Sequence, residues 1–211
     1  NSWYPNSPMT GNKLIGCFVH DIGGEGIYSG LTQENGYTVT SSWSGLDTVI
    51  VGNRTDSTEI AYNYIARTTW DGLQIAHSGY GNLIHHNIVT NFGTIDKDNQ
   101  RAGIILGGDC NGSVYNNTIK NGTGNGIEIF GFGAVNVYNN IIDSVGQTDS
   151  LTDVEESIYA NYHTVSYISR PALQLNIYDN AINHPRVRGA IRISTSLNDA
   201  PSLVENNTFC I

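Results

Sequence analysis

The stretch Asn82-Leu83-Ile84-His85-His86-Asn87-Ile88-Val89 places apolar residues at regular offsets from Asn87, and Val114-Tyr115-Asn116-Asn117-Thr118-Ile119 repeats that arrangement around Asn117. In both stretches an apolar residue stands three positions before the central Asn and another stands two positions after it. Alternation with a period of two over so few residues predicts short, half-buried β-strands on either side of a turn. Its recurrence along the chain indicates a repeat architecture.

The pattern recurs over nearly the whole chain with a base period near 23 residues. Successive central positions are 23, 23, 24, 30, 23, 40 and 27 residues apart. The residue three positions earlier is always apolar or aromatic, and the residue two positions later is apolar in seven of eight cases. We call the central residues the ladder positions: Cys17, Thr40, Asn63, Asn87, Asn117, Asn140, Asn180 and Asn207.

A second apolar run follows the ladder position in most repeats. After Asn87 and Asn140 this run begins 16 and 17 residues later, which leaves insertions at 92–102 and 145–156 at the same corner of the repeat. In four other repeats a Gly opens the run nine residues after the ladder position, and these are Gly26, Gly72, Gly126 and Gly189, the last offset by one residue.

Strands this short cannot bury an apolar face alone, so successive repeats are expected to stack on one another. The sequence therefore predicts an all-β fold for residues 1–211, a single domain that forms a parallel β-solenoid of about eight coils. We interpret the Asn column as structural, because stacked amides hydrogen-bond along the axis and Asn tolerates the left-handed turn conformation. Neither end carries a polar cap, so we expect a segment of a longer chain or ends covered by another subunit.

The two stretches quoted first, together with Gly126-Ile127-Glu128-Ile129, resemble the right-handed parallel β-helix repeat superfamily, to which the pectate-lyase-like proteins belong. The resemblance covers about residues 12–211 and implies a right-handed parallel β-helix. That superfamily includes lyases, hydrolases, epimerases, adhesins and phage spikes, so the resemblance implies no single activity.

The best-known catalytic motifs of that superfamily are missing. The chain has no Asn-Thr-Asp, Asp-Asp or Gly-His-Gly as in polygalacturonase-like hydrolases, and no Asp-Pro-His-Glu as in mannuronan epimerases. Arg192-Ile193-Ser194 departs from the Arg-Ile-Lys of the hydrolases. Membership of either enzyme group is therefore not expected.

Composition narrows the classes of partner. Ten basic residues against 19 acidic ones give a formal charge of -9, which argues against a surface that neutralises nucleic-acid phosphates or anionic lipids. No stretch approaches the roughly 20 apolar residues of a membrane-spanning helix. We expect neither nucleic acid nor membrane as a partner.

We also expect no internal disulfide. Cys17 and Cys110 fall several coils apart, and the chain has an odd number of cysteines, Cys17, Cys110 and Cys210.

Function in a solenoid is expected on an outer face or in enlarged loops, because the interior is filled by apolar side chains. The two insertions flank the coil that contains Glu128, and both carry charged residues. Hydrolysis of a glycosidic bond requires one carboxyl as acid and another as base or nucleophile. The candidates are Asp71, Asp98, Glu128 and Glu156, with Trp70 and Phe130 as aromatic residues that contact the sugar. The alternative is that these acidic residues serve solubility alone.

Elimination is a second reaction that this corner would support. A lyase needs a cation to neutralise the uronate and a base to remove a proton, and Arg101 and Lys97 are the candidate groups. Ca²⁺ bound by the acidic loops would supply the same neutralisation. No other cofactor is predicted.

An aromatic strip is predicted on a different face, two residues before the ladder. His85, Tyr115, Tyr138 and Tyr178 occupy that position in consecutive coils. If they face outward, they offer flat apolar surfaces on which sugar rings stack, or they stabilise the solenoid without binding anything.

We predict no transition-metal site. His85 and His86 are adjacent, and adjacent residues on a strand point to opposite faces, so they would make a poor chelate.

Two functional hypotheses remain open. The first is a secreted or cell-surface β-helix that engages a polysaccharide as a hydrolase or lyase. The second is a non-catalytic structural or adhesin module of a larger surface or secreted protein. An ice-binding role would require a flat array of Thr residues, and the Thr residues form no such column.

Overall fold

The computed structural model describes residues 8–30, 37–40, 47–50, 54–95, 97, 99–108, 111–131, 133–147, 155–162, 174–184, 189–194 and 202–210. Within these ranges, the side chains of 37–40, 47–50, Gly108 and Tyr162 are not described.

The described residues form short strands and no helix, so none of their segments is a helix long and apolar enough to span a membrane. The strands in chain order are β1 (Met9–Thr10), β2 (Lys13–Ile15), β3 (Phe18–Ile22), β4 (Ile27–Ser29), β5 (Tyr37–Thr40), β6 (Asp47–Ile50), β7 (Thr55–Asp56), β8 (Glu59–Ala61), β9 (Tyr64–Thr68), β10 (Leu73–Ile75), β11 (Asn82–His85), β12 (Ile88–Thr90), β13 (Ile104–Gly108), β14 (Gly112–Tyr115), β15 (Thr118–Lys120), β16 (Ile127–Gly131), β17 (Ala134–Tyr138), β18 (Ile141–Asp143), β19 (Glu156–Tyr162), β20 (Gln174–Tyr178), β21 (Ala181–Asn183), β22 (Gly189–Ser194), β23 (Leu203–Glu205) and β24 (Thr208–Cys210).

Three parallel sheets run along the molecule. Successive coils add one strand to each of them, except that the last coil, with β23 and β24, adds no described strand to the six-stranded sheet. The six-stranded sheet has the order β22-β19-β16-β13-β10-β4. The first seven-stranded sheet has the order β2-β8-β11-β14-β17-β20-β23, and the second has the order β24-β21-β18-β15-β12-β9-β3. Stacked parallel strands without helices confirm the predicted all-β parallel solenoid.

The predicted apolar columns form the core. In the first seven-stranded sheet, Ile60, Ile84, Val114 and Ile177 belong to one column of residues in register, and each is fully buried. The residues two positions after the ladder form the facing column in the second seven-stranded sheet, where Ile119 is also fully buried. Burying each such side chain contributes roughly 1.5–3 kcal/mol, so the periodic apolar positions account for the stacking.

The predicted ladder of Asn side chains is present. The backbone N–H and the Nδ2 of Asn87 both donate to Asn117 Oδ1 at 3.0 Å, and Asn117 donates to Asn140 in the same way. Asn117 Nδ2 also donates to the carbonyl of Ile84, so each amide ties the first seven-stranded sheet to the next coil. The buried amides satisfy one another, which a hydrophobic residue at these positions would not do.

Thr40 does not belong to the ladder, and this prediction is wrong. Strands β5 and β6 pair antiparallel, with Thr40 opposite Asp47, and form a hairpin rather than a coil. Strand β2 pairs directly with β8, and the backbone N–H of Cys17 donates to Asn63 Oδ1 at 2.8 Å. The Cys17 coil therefore stacks on the Asn63 coil, and the 46 residues that separate these two ladder positions equal two periods although they supply one coil of the stack. The predicted count of about eight coils included Thr40, whereas each of the two longer sheets contains seven strands.

The left-handed turn conformation belongs to the residue before each ladder position, and not to the ladder Asn as predicted. Every coil has a positive φ there, including the bulky Tyr62 (57°) and His86 (55°). The other members of this column are Gly16, Asn116, Asn139, Asp179 and Asn206. Asn, Asp and Gly adopt this conformation at least cost, which explains why four of the five are Asn or Asp.

Candidate functional site

The two insertions meet beside the six-stranded sheet. Arg101 Nη2, in the first insertion, lies 2.7 Å from Glu155 Oε1 in the second, and both side chains are largely buried. A Cβ placed on Gly124, in the coil between them, would lie 2.3 Å from the carbonyl oxygen of Arg101, so the first insertion packs directly on that coil. The ion pair therefore bridges one coil and links the two insertions.

A row of side chains lies on the outer side of the six-stranded sheet; all are polar or aromatic except Ile105, and Gln74 and Ile105 are buried. Strand register places Glu128 between Ile105 and Tyr159, and Arg192 beyond Tyr159. The row in coil order is Tyr28, Gln74, Ile105, Glu128, Tyr159 and Arg192. The same register aligns Ile191 with Ile158, which confirms that the Gly189 run is offset by one residue.

A second column of residues lies at the turn just before the strands of this sheet, and we call its members the corner residues. Backbone hydrogen bonds connect them from coil to coil. The N–H of Gly72, which follows Asp71, donates to the carbonyl of Ala102, and the N–H of Gly126, which follows Asn125, donates to the carbonyl of Glu156. The corner residues are Glu25, Asp71, Ala102, Asn125 and Glu156. Asp71 and Glu156, both candidates from the sequence, therefore occupy one column, about three coil spacings or ~14 Å apart.

Asp71 is a buried corner residue. Its side chain is 0% exposed, its Oδ1 accepts a hydrogen bond from the Ala102 N–H at 2.7 Å, and its Oδ2 has no hydrogen-bond partner within the described part of the chain. Burial raises the pKa of Asp71 to about 8, and the nearby charges of Glu128 and Glu25 add to the shift. Asp71 is therefore protonated at neutral pH, and its burial keeps it from direct contact with a substrate.

Glu128 is the candidate carboxyl best placed on the outer face. It is half-buried, and its Oε2 accepts a hydrogen bond from Asn125 Nδ2 at 3.2 Å. Burial raises the pKa of Glu128 above its ordinary value, and the charge of Glu156 raises it further. A carboxyl whose pKa is raised in this way retains its proton closer to neutral pH, which is the property of a general acid.

Glu156 is held close to Glu128 through Asn125. The Glu156 backbone N–H donates to Asn125 Oδ1 at 2.6 Å, and Arg192 Nη1 lies 3.4 Å from Glu156 Oε1. The Glu156 side chain is 2% exposed. The Arg192 guanidinium also lies over the Tyr159 ring, 5.3 Å from its centroid, so a cation, a phenol and two carboxyls occupy one part of this face.

Trp70 and Phe130 differ in their surroundings. Lys97 Nζ lies 3.2 Å from the centroid of the Trp70 ring, and Gly24 packs against the same indole. These contacts occupy the indole, which leaves little room for a sugar on it. Phe130 lies on the outer face in register with Gly107 and Asn161, and it is half-buried. Asp98 lies outside the described residues.

The aromatic strip is present as a continuous stack. Ring centroids are 4.8 Å apart for His85 and Tyr115, 4.9 Å for Tyr115 and Tyr138, and 5.0 Å for Tyr138 and Tyr178. The two Tyr–Tyr pairs are parallel to within 1°. Because each inner ring has both faces against a neighbour, only ring edges remain for a ligand. The geometry therefore favours the structural interpretation of the strip over sugar stacking.

Sequence reasoning missed Tyr159 and Arg192 as members of the candidate site, and it missed the pairing of Glu155 with Arg101. Aligning the second apolar run of each repeat on its buried Ile would have found both residues. Tyr159 follows Ile158 and Arg192 follows Ile191, just as Glu128 follows Ile127. Glu155 gave no such signal, because its partner Arg101 lies 54 residues earlier in an insertion of different length.

Among the described residues, no group of three or more His, Cys, Asp or Glu side chains is arranged to hold a metal ion. Cys17 and Cys210 have free thiols, and Cys110 is not among the described residues.

Comparisons with protein families, with curated proteins and with solved structures gave no match to this chain.

Proposed function

We propose that this chain is a right-handed parallel β-helix, secreted or exposed at a cell surface, that hydrolyses a polysaccharide at the outer face of its six-stranded sheet. The observation that carries the proposal is Glu128, a half-buried carboxyl with a raised pKa beside the charge of Glu156. Hydrolysis needs two carboxyls whose environments differ, one protonated and one ionised. Glu128 is the proposed general acid. Glu156, whose side chain is 2% exposed and paired with Arg192, is proposed to hold the proton on Glu128 through its charge rather than to touch the reacting bond.

The surroundings of Glu128 support a polar, extended ligand. Tyr159 and Arg192 continue the Glu128 row on one side, and Phe130 lies two residues further along the same strand. Aromatic rings beside hydrogen-bonding groups suit a sugar, which has both apolar C–H faces and hydroxyl groups. The ion pair of Arg101 and Glu155 joins the two insertions beside this row, so a bound polymer would lie next to that link.

The structural contacts of the other candidates limit their part in this proposal. Asp71 is buried, and Arg101 is paired with Glu155. Both are therefore assigned to holding the site together rather than to contact with the reacting bond.

The test is turnover of a panel of neutral and acidic polysaccharides by the whole chain, reading new reducing ends and unsaturated uronate products separately. On a substrate that is cleaved, Glu128→Gln is expected to lower kcat/KM by about 10²–10⁴-fold, since the amide keeps the size of the side chain but carries no acidic proton. Glu205→Gln, on the first seven-stranded sheet, is the matched control and is expected to leave turnover unchanged.

Unsaturated products would instead indicate elimination, with Arg192 or bound Ca²⁺ neutralising the uronate, and would overturn hydrolysis. Full activity in both Glu128→Gln and Glu156→Gln would place the reaction elsewhere.

A non-catalytic structural or adhesin module is the second candidate function. The observation that favours it is the stack of Tyr115, Tyr138 and Tyr178, whose ring faces are used for stacking and not for a ligand. Absence of turnover with every polymer in the panel would favour this module over the hydrolase.

A further inference from the structure

A chain of polar contacts runs across four side chains at the turn that follows the first seven-stranded sheet. Glu59 Oε1 lies 3.3 Å from His85 Nε2, His85 Nδ1 lies 2.9 Å from His86 Nδ1, and Asn116 Nδ2 lies 3.3 Å from His86 Nε2. Lys13 Nζ lies 2.8 Å from the other carboxylate oxygen of Glu59. This surface is separate from the outer face of the six-stranded sheet.

The two imidazoles converge because His86 is not on a strand. Strand β11 ends at His85, and His86 has a φ of 55°, so the rule that adjacent strand residues point apart does not apply. The premise behind the prediction of no metal site is therefore wrong, since the two rings contact each other at a centroid distance of 5.1 Å.

Aromatic neighbours hold both imidazoles in place. His85 stacks on Tyr115 at 4.8 Å, and His86 stacks on Tyr62, also at 4.8 Å. Both rings are thus positioned before any ligand arrives, which lowers the entropic cost of binding one.

Glu59 determines which nitrogen of His85 is available. A carboxylate accepts hydrogen bonds only, so the neutral His85 carries its proton on Nε2 and has its lone pair on Nδ1. The 2.9 Å contact is then a hydrogen bond that His86 Nδ1 donates to His85 Nδ1, and a metal ion bound to both nitrogens would displace that proton. A carboxylate on the far nitrogen of a His is the arrangement that orients metal-binding imidazoles and increases their basicity.

We propose that His85 Nδ1 and His86 Nδ1 form a two-nitrogen site for a divalent transition-metal ion that prefers square-planar or octahedral coordination, such as Cu²⁺. Two nitrogens about 2.0–2.1 Å from an ion and 2.9 Å from each other subtend about 90°, the cis angle of those geometries. Tetrahedral Zn²⁺ would need the nitrogens roughly 3.3 Å apart. His86 is exposed, so water completes the coordination, in keeping with the absence of a third protein ligand among the described residues.

The test is titration of the whole chain with Cu²⁺ alone at neutral pH, followed by calorimetry and by electron paramagnetic resonance. One site showing two coordinated imidazole nitrogens is expected, with an affinity that falls as the pH is lowered because protons compete for both nitrogens. The main variant is His86→Asn, since Asn116, Asn139 and Asn206 occupy the equivalent turn position in other coils and Asn keeps the fold. It is expected to weaken Cu²⁺ binding at least tenfold.

Two further variants separate this site from nonspecific binding. Glu59→Gln is expected to weaken binding about tenfold through the orientation of His85. His184→Gln, an exposed His that pairs with Asp143 elsewhere on the surface, is expected to change nothing. Unchanged affinity and an unchanged two-nitrogen spectrum in His86→Asn, with the fold verified by circular dichroism, would overturn the proposal.

Discussion

Arg101 Nη2 and Glu155 Oε1 lie 2.7 Å apart, although 54 residues separate them in the chain. The pair joins two insertions that leave the solenoid from different coils and spans the coil of Glu128. Because both partners are largely removed from water, their attraction is little screened, and loss of one partner leaves the other charge buried. The ion pair is therefore a structural link between the two insertions beside the candidate site.

Replacing Arg101 is expected to destabilise the chain strongly. Arg101→Ala should lower the free energy of unfolding by about 3–5 kcal/mol, the range for breaking a buried pair by removing one partner. Chemical denaturation measures this change. The matched control is Arg67→Ala, which removes an exposed partner of Asp21 and is expected to have a far smaller effect. Equal losses in the two variants would contradict the structural role of the Arg101 pair.

The Asn ladder should be the most sensitive polar feature of the fold. Asn117→Ala removes the acceptor of the Asn87 N–H and the donor to the Ile84 carbonyl, both of which are buried. Each unsatisfied group costs about 1–3 kcal/mol, so the free energy of unfolding should fall by several kcal/mol. Asn116→Gly, at the adjacent exposed turn residue, is expected to be nearly neutral because Gly adopts the positive φ freely. Denaturant titrations of the two variants should therefore differ clearly.

Stability should decrease as pH rises across the neutral range. Folding raises the pKa of Asp71 from its ordinary value of 3.8 to about 8, so the folded state binds more protons than the unfolded state between these values. The contribution of Asp71 is fully present below about pH 4 and is lost as pH rises toward about 8, by at most about 1.4 kcal/mol per pH unit.

Asp71→Asn provides the check on that pH dependence. The amide keeps an oxygen for the Ala102 N–H but does not ionise, and Asn125 occupies the same column in another coil. The variant should be more stable than the parent at pH 8 and should show a flatter dependence between pH 5 and pH 8. An unchanged slope in denaturation midpoints would assign the pH dependence to other groups.

The Tyr stack should contribute to stability rather than to ligand binding. Tyr138→Ala removes two stacked ring pairs, each worth about 0.5–1.5 kcal/mol, so the free energy of unfolding should fall by about 1–3 kcal/mol in addition to the loss of buried area. Tyr138→Phe keeps the rings and should be close to neutral. Affinity for any polysaccharide that binds should be the same in both variants; a selective loss in Tyr138→Ala would restore the strip as a binding surface.

The repeat itself could be predicted because its signal is local. Each coil carries its own apolar residues at fixed offsets from the ladder, so residue spacing alone assigns Ile84 and Val114 to one column. The Asn ladder followed from the same offsets. The candidate site was predicted less completely. The insertions change the spacing between the ladder position and the second apolar run, so residues that follow an insertion, such as Glu155 and Tyr159, do not stand at a fixed offset from the ladder.

By itself, the amino-acid sequence determined that the chain stacks parallel strands around apolar columns with Asn side chains along one edge, because a period near 23 residues repeats the same burial in each coil. Only the tertiary structure decided which segments pair. The strand that ends at Thr40 carries Tyr37 three positions before it, in the predicted phase, yet it pairs with its neighbour in a hairpin, while the Cys17 backbone bonds Asn63. The convergence of His85 with His86 and of Arg101 with Glu155 likewise depended on a turn conformation and on loop paths, which residue spacing does not encode.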